Sequence, residues 1–274
     1  MPPLTIPPAR MSRWTSVPFQ RTTGKPHLNY DKDLNLDRPV YRYMQAEHLL
    51  DYLRTGQFYF SDVRSWPDPF EQWWHRILFE GDTPLLGAQA FASCWTWHCR
   101  DEPFWRLYEE RCGHRDSSGE PLPKGTPPVR IKSTLRRVVD GLSDALRQAN
   151  MKVFVAPVSY TTTAELLRYK SSLKDDPAEI AREAAHALTY KRLGFRYEKE
   201  VRIIVVDSSG LEGGRRIALV PSALIEQIMI GPVPESEVKR ASDLRERLKA
   251  SFSGSIKRSL IYRPPLEMHR GSAA

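Results

Sequence analysis

At 274 residues, 41% of them hydrophobic and 27% charged, the chain is long enough to bury a sizeable core and too rich in apolar residues to be wholly disordered. Its net charge of +8, from 41 Lys and Arg against 33 Asp and Glu, favours polyanionic partners, although no tight Lys/Arg block concentrates that charge. No apolar run approaches the ~20 residues of a membrane span, no signal-peptide core opens the sequence, and an odd count of three cysteines argues against a disulfide framework; the expectation is a cytoplasmic protein.

Residues 1–30 hold six prolines, four basic residues and no acid, without apolar periodicity. Residues 1–38 therefore read as a basic, proline-rich arm, disordered or draped over the surface. Strand texture begins at Val40–Met44. A helix over 45–55 follows, with Leu49, Leu50 and Leu53 on one face and Gly56 as its stop. Gln57–Val63 is the next strand, and Pro67 and Pro69 then bracket Asp68 in a stiff turn, where Asp68 with Glu71 can cap a helix. Gln89–Trp97 is a third strand. Asp101 and Pro103 open a short helix that stops at Gly113, and residues 113–130, with three glycines and four prolines, form a loop.

A helix over 133–150 leads to a strand over 152–160, whose Pro157 predicts an edge or a bulge. Helical patterns at 163–169 and 177–192 precede a strand over Phe195–Val206. Strand patterns at 215–220, 226–232 and 255–263 and a charged helix near 235–250 complete the chain. Strands and helices mix without regular βαβ alternation, so the fold class is α+β, with one domain over 39–263 and a flexible tail over 264–274.

The chemistry concentrates in Phe195–Val206. As a strand it places Arg196, Glu198, Glu200 and Arg202 on one face, two carboxylates roughly 7 Å apart between guanidiniums. Ile204 and Val206 continue that face as apolar residues, so its charged part meets the edge of the core. Acids held this way can orient ribose hydroxyls or stabilise a cation; the plainer alternative is an exposed ladder of ion pairs. Cys94, His98, Cys99, Cys112 and His114 fall within one span, but Cys94 and Cys99 are too far apart for a zinc pair and Cys94 sits in an apolar strand, so no metal is expected. No nucleophile elbow, P-loop, dinucleotide fingerprint or HExxH helix occurs.

Several pieces occur in a familiar order. They are Tyr41–Met44; His48–Glu71 with its Phe60-Ser61 strand end and Asp68-Pro69-Phe70-Glu71 turn; Phe91–Trp97; Glu102–Tyr108; Val155–Tyr160; Tyr190–Val205 with Tyr197-Glu198-x-Glu200-x-Arg202; and Ile225–Pro232. Together, over roughly residues 39–262, they resemble a widespread bacterial family catalogued as a domain of unknown function. Pro67 stands where that family usually has Asn.

A looser similarity is to ADP-ribosyltransferases, in the order Arg42, then Ser93 with Thr96, then Glu198 and Glu200. It implies a mixed, largely antiparallel split sheet with flanking helices that clamps NAD as a substrate. Glu200 then binds the ribose 2′-hydroxyl and offsets developing positive charge, and Glu198 activates or positions the acceptor. Arg42 neutralises the diphosphate, Ser93 fixes the strand facing the nicotinamide ribose, and Arg202 orients the two acids. Tyr43, Phe60, Trp95 and Tyr108 are candidates to wall in the nicotinamide, with Ser61 and Thr96 in the same binding set.

The implied product is an ADP-ribosylated nucleic acid or protein, as made by a toxin or antiphage effector. Two other readings stand beside it. One is a non-catalytic nucleotide or nucleic-acid binding domain. The other is a metal-dependent nuclease holding magnesium on Asp68, Glu71, Glu198 and Glu200, placed last because no lysine pairs recognisably with those acids.

Overall fold

The computed structural model describes residues 14–18, 27–31, 34–73, 89–99, 102–109, 125–145, 151–170, 185–207 and 213–262. The architecture is α+β, with mostly antiparallel sheet. The chain divides into two compact units, each assembled from three separate segments, whereas the sequence reading treats 39–263 as one domain.

The first unit takes in residues 1–38, 58–98 and 134–219. With strands numbered along the whole chain, its sheet contains β1 (Trp14–Pro18), β2 (His27–Asp31), β4 (Gln57–Asp62), β5 (Gln89–Thr96), β7 (Met151–Pro157), β10 (Glu200–Asp207) and β11 (Arg215–Ala218). Their order is β1-β2-β7-β10-β5-β4-β11. β10 lies antiparallel between β5 and β7, and all eight of its residues are buried. Its run of Val201, Ile203, Ile204, Val205 and Val206 fits that central place, because β-branched side chains pack well on a pleated surface covered on both faces. Ile204 and Val206 of β10, Ala90 and Ala92 of β5 and Phe154 of β7 belong to one core cluster, together with Val63, Trp66, Ala185, Ala187, Leu188 and Tyr190. Full burial of a side chain such as Ile204 is worth roughly 1.5–3 kcal/mol. A parallel ribbon of β8 (Ser159–Thr161) and β9 (Tyr190–Arg192) adjoins the start of β10, where the Val158 N–H donates to the Glu200 carbonyl at 2.9 Å.

The second unit takes in residues 39–57, 99–133 and 220–274. Its strands β3 (Pro39–Met44), β6 (Val129–Thr134), β12 (Gln227–Ile230) and β13 (Ser255–Arg258) neighbour one another in that order. α1 (Ala46–Thr55) buries Ala46, Leu49, Tyr52 and Leu53 along one face. It ends where Gly56, at φ 67°, donates its N–H to the Tyr52 carbonyl at 2.8 Å, a left-handed position that glycine enters without a Cβ penalty. The helices of the second unit also include α2 (Glu102–Glu109) and α6 (Val238–Lys249), while α3 (Leu135–Ala145) and α4 (Thr163–Lys170) belong to the first unit and α5 (Pro221–Leu224) to the second.

Four local expectations change. Within the arm, Trp14–Pro18 and His27–Asp31 are paired strands, and β2 adds to β7 in parallel. β7 is accordingly an interior strand; Pro157 is tolerated because β2 reaches only Val153–Val155, so its missing N–H falls past that pairing. The helix expected over 177–192 is helical at 185–187, but Tyr190–Arg192 extends to pair with β8. The strand expected from Phe195 begins only at Glu200. The tail over 264–274 and most of the loop over 113–130 lie outside the described residues.

Candidate active site

Leu193–Glu198 winds as a 3-10 helix with no buried residue, and Lys199 follows at φ 44°, the only non-glycine residue at positive φ among those described. That turn breaks the expected four-charge row. Arg196 is left exposed, while Glu198 reaches the site from the end of the 3-10 helix and Glu200 from the first position of β10. The join is pinned by backbone: the Trp97 N–H donates to the Lys199 carbonyl at 3.2 Å, and the Thr96 hydroxyl donates to the Glu198 carbonyl at 2.6 Å.

Arg202, two positions along β10, is 1% exposed and anchors the cluster. Its Nη2 donates to Glu200 Oε2 at 2.8 Å and to Glu71 Oε1, its Nε donates to Glu200 Oε2 at 3.2 Å, and its Nη1 donates to the Leu188 carbonyl at 2.6 Å. The guanidinium also lies over the Trp66 ring, 4.4 Å from its centroid. Glu71 is delivered by the proline-bracketed turn. There Asp68 Oδ1 accepts from the Phe70 N–H at 3.0 Å and its carbonyl accepts from the Glu71 and Gln72 N–H groups, so Asp68 starts a helix as its residue type predicts. Asp68 Oδ1 also accepts from Arg192 Nη2 at 2.9 Å.

Lys191 of β9 supplies the second cation. Its Nζ donates to Glu198 Oε2 at 2.5 Å and lies 3.5 Å from Glu200 Oε2. Three carboxylates, Glu71, Glu198 and Glu200, thus share two cations, Lys191 and Arg202. The imbalance separates the two site glutamates. Burial works to raise the Glu200 carboxyl, but the Arg202 and Lys191 charges outweigh it and hold Glu200 below the usual carboxylate range. Burial, and then the negative charge of Glu200, push Glu198 upward against the pull of Lys191. Burial also lifts the Cys94 thiol far above its ordinary value, so it is not a thiolate nucleophile.

The predicted site residues divide by sheet face and by unit. In the β10–β5 register Glu200 faces Thr96 and Arg202 faces Cys94, so Thr96 lies with the acids. Ser61, paired with Ala92, shares that side; its hydroxyl accepts from Trp66 Nε1 at 3.1 Å, beneath the ring that carries Arg202. Ser93 and Trp95 pair with Ile203 and Val201, on the opposite face. There Trp95 Nε1 donates to Ser93 Oγ at 2.9 Å, and Phe58 stacks on Trp95 and meets the fully buried Phe60 edge-on. Strand alternation thus assigns Ser93, Trp95 and Phe60 to core rather than to the acid face. Arg42 and Tyr43 on β3 and Tyr108 on α2 belong to the second unit, where Tyr43 is buried against Phe104 and Trp105.

Sequence reasoning missed Lys191, Glu71 as the Arg202 partner, and Tyr160, whose hydroxyl accepts from the Glu200 N–H at 2.8 Å. The reason given for placing a nuclease last does not hold, since Lys191 does pair with the acids. Those acids are instead paired with cations: Glu71 and Glu200 with Arg202, Glu198 with Lys191 and Asp68 with Arg192. Among the described residues no group of His, Cys, Asp or Glu is arranged to hold a metal ion; Cys112 and His114 lie outside them. Cys94 and Cys99 are free thiols.

No family model matches the chain, and no curated protein matches it. Among solved structures it is similar to DarT from Thermus sp. 2.9 in three complexes. With ADP-ribosylated ssDNA the identity is 12% and the TM-score 0.37, covering 81% of this chain and 94% of that one. With NAD+ the values are 12% and 0.31, covering 82% and 96%. With carba-NAD+ they are 12% and 0.36, covering 82% and 97%. TM-scores this low establish neither family nor function for the chain.

Proposed function

We propose that the protein cleaves NAD and transfers ADP-ribose to a nucleic-acid or protein acceptor. The observation that carries this reading is the Glu198–Glu200 pair, two carboxyls pushed in opposite directions around one shared lysine. Paired acids with separated proton affinities are the usual means of dividing electrostatic and proton-transfer roles.

The reaction needs both roles. When the nicotinamide–ribose bond breaks, its electron pair goes to the pyridinium ring, neutral nicotinamide leaves, and positive charge develops on C1′ and the ring oxygen. An ionised carboxylate in a site poor in water offsets that charge. Glu200 suits the task, because Arg202 and Lys191 both bind its Oε2 and hold the carboxyl ionised, the form that accepts from a ribose 2′-hydroxyl. The acceptor nucleophile then bonds to C1′ and gives its proton to Glu198, whose raised proton affinity suits a general base. The excess of basic residues favours nucleic acid as that acceptor.

Incubation with adenylate-labelled NAD and separate DNA, RNA and protein fractions tests the reading. Label should move to one fraction as nicotinamide appears, and Glu200→Gln should slow both by about 10²–10³-fold. Thermal stabilisation by NAD with no label moved and no nicotinamide released would mark a binding domain and end the proposal.

A further inference from the structure

Lys191 is fixed more firmly than a surface lysine. Its strand β9 pairs in parallel with β8, opposite Tyr160, and Tyr160 is itself tied to β10 through the Glu200 N–H. The Ser159 N–H donates to the Thr189 carbonyl at 2.8 Å, closing the base of the ribbon. The Lys191 side chain is 9% exposed, and its ammonium lies 4.8 Å from the Phe195 ring centroid. A buried ammonium held by two acids and a ring has one place to be, unlike the flexible, well-hydrated lysines of a surface.

We propose that Lys191 is a positioning residue of the transfer reaction: by sharing its ammonium between Glu198 and Glu200 it aims the Glu198 carboxylate and sets the pH at which Glu198 can accept a proton. The inference rests on the function proposed above. The charged and titratable groups around this pair are Glu200 and Arg202 from β10, Glu71 from the helix after Asp68, Tyr160 from β8 and Cys94 from β5. Of these, only Lys191 and Arg202 draw Glu198 toward its charged form, and only Lys191 hydrogen bonds to it. Arg202 is committed to Glu71, Glu200 and the Leu188 carbonyl. Without Lys191, the burial and the Glu200 charge that already raise Glu198 act with little opposition.

Lys191→Met and Lys191→Arg separate positioning from general support of the fold. The Glu198 carboxyl is titrated by carbon-detected NMR without NAD, its signal assigned with Glu198→Gln, and nicotinamide release is then measured across pH. In Lys191→Met the Glu198 midpoint and the acid limb of the rate profile should both move up, by about one to three pH units; Lys191→Arg should return both toward wild type. An unmoved Glu198 midpoint in folded Lys191→Met overturns the inference, as does a profile lowered evenly at every pH. Should Lys191→Met fail to fold, the same titration of Lys191→Gln decides by the same two outcomes. Failure of wild type to release nicotinamide overturns the function itself, so the two failures are read from different measurements.

Discussion

Glu198 and Glu200 make opposite demands on pH. Glu200 has its proton affinity lowered in the fold, so it contributes stability above its unfolded value near 4.5, and that contribution is lost as pH falls through the folded value. Glu198 is raised, so its contribution runs the other way: neutral below about 4.5, and increasingly unfavourable as pH rises through its folded value. Thermal melts should therefore show Glu200→Gln losing more against wild type as pH rises toward about 4.5, and by a constant amount above it. Glu198→Gln should gain on wild type as pH rises from about 4.5 through the folded value of Glu198. Arg202→Met should cost about 3–5 kcal/mol in urea unfolding, because it leaves Glu71 and Glu200 buried without their cation. The acids and Arg202 were legible in the sequence because their spacing is local. The pairing of Glu71 with Arg202, 131 residues away, was not, and neither was Lys191, which the sequence reading placed at the end of a helix. Long-range partners of a buried charge leave no periodic trace.

At the scale of the element, β10 was legible from Glu200 onward because its β-branched run and its apolar continuation of the charged face are the signature of a covered strand. The preceding turn was not. Phe195 and Tyr197 alternate with Arg196 and Glu198 as a strand would, and the left-handed position that ends the 3-10 helix is held by Lys199 rather than by the Gly or Asn that normally announces it. Lys199→Gly should accordingly be neutral or stabilising by up to about 1 kcal/mol, as measured by chemical denaturation, since relieved strain is offset by a more flexible unfolded chain. Ile204→Ala, in the cluster beneath Arg202, should cost about 2–5 kcal/mol by the same measurement. Ser93 was chosen by motif order and Trp95 as an aromatic wall for the nicotinamide; which parity of β5 faces the acids is set by its register with β10, which spacing along one strand does not encode.

For the whole molecule, the α+β class followed from irregular alternation of strand and helix patterns, and the mostly antiparallel sheets agree with it. The interleaving of segments into two units was not visible, because no proline- or glycine-rich linker marks the boundaries, two of which fall inside β4 and β6. Among the described residues no helix is long and apolar enough to cross a membrane. The basic excess belongs to this scale too. If the acceptor is nucleic acid, transfer to an oligonucleotide should fall about tenfold or more between roughly 50 and 200 mM salt, while release of nicotinamide to water changes little.

The central claim is that an ionised Glu200 stabilises the charge that forms as nicotinamide departs. Single-turnover release of nicotinamide from NAD at neutral pH, by wild type and by folded Glu200→Gln, tests it most directly. Wild type should release nicotinamide measurably, and the variant at a rate about 10²–10³-fold lower. An inert wild type, or equal rates in the two proteins, would contradict it.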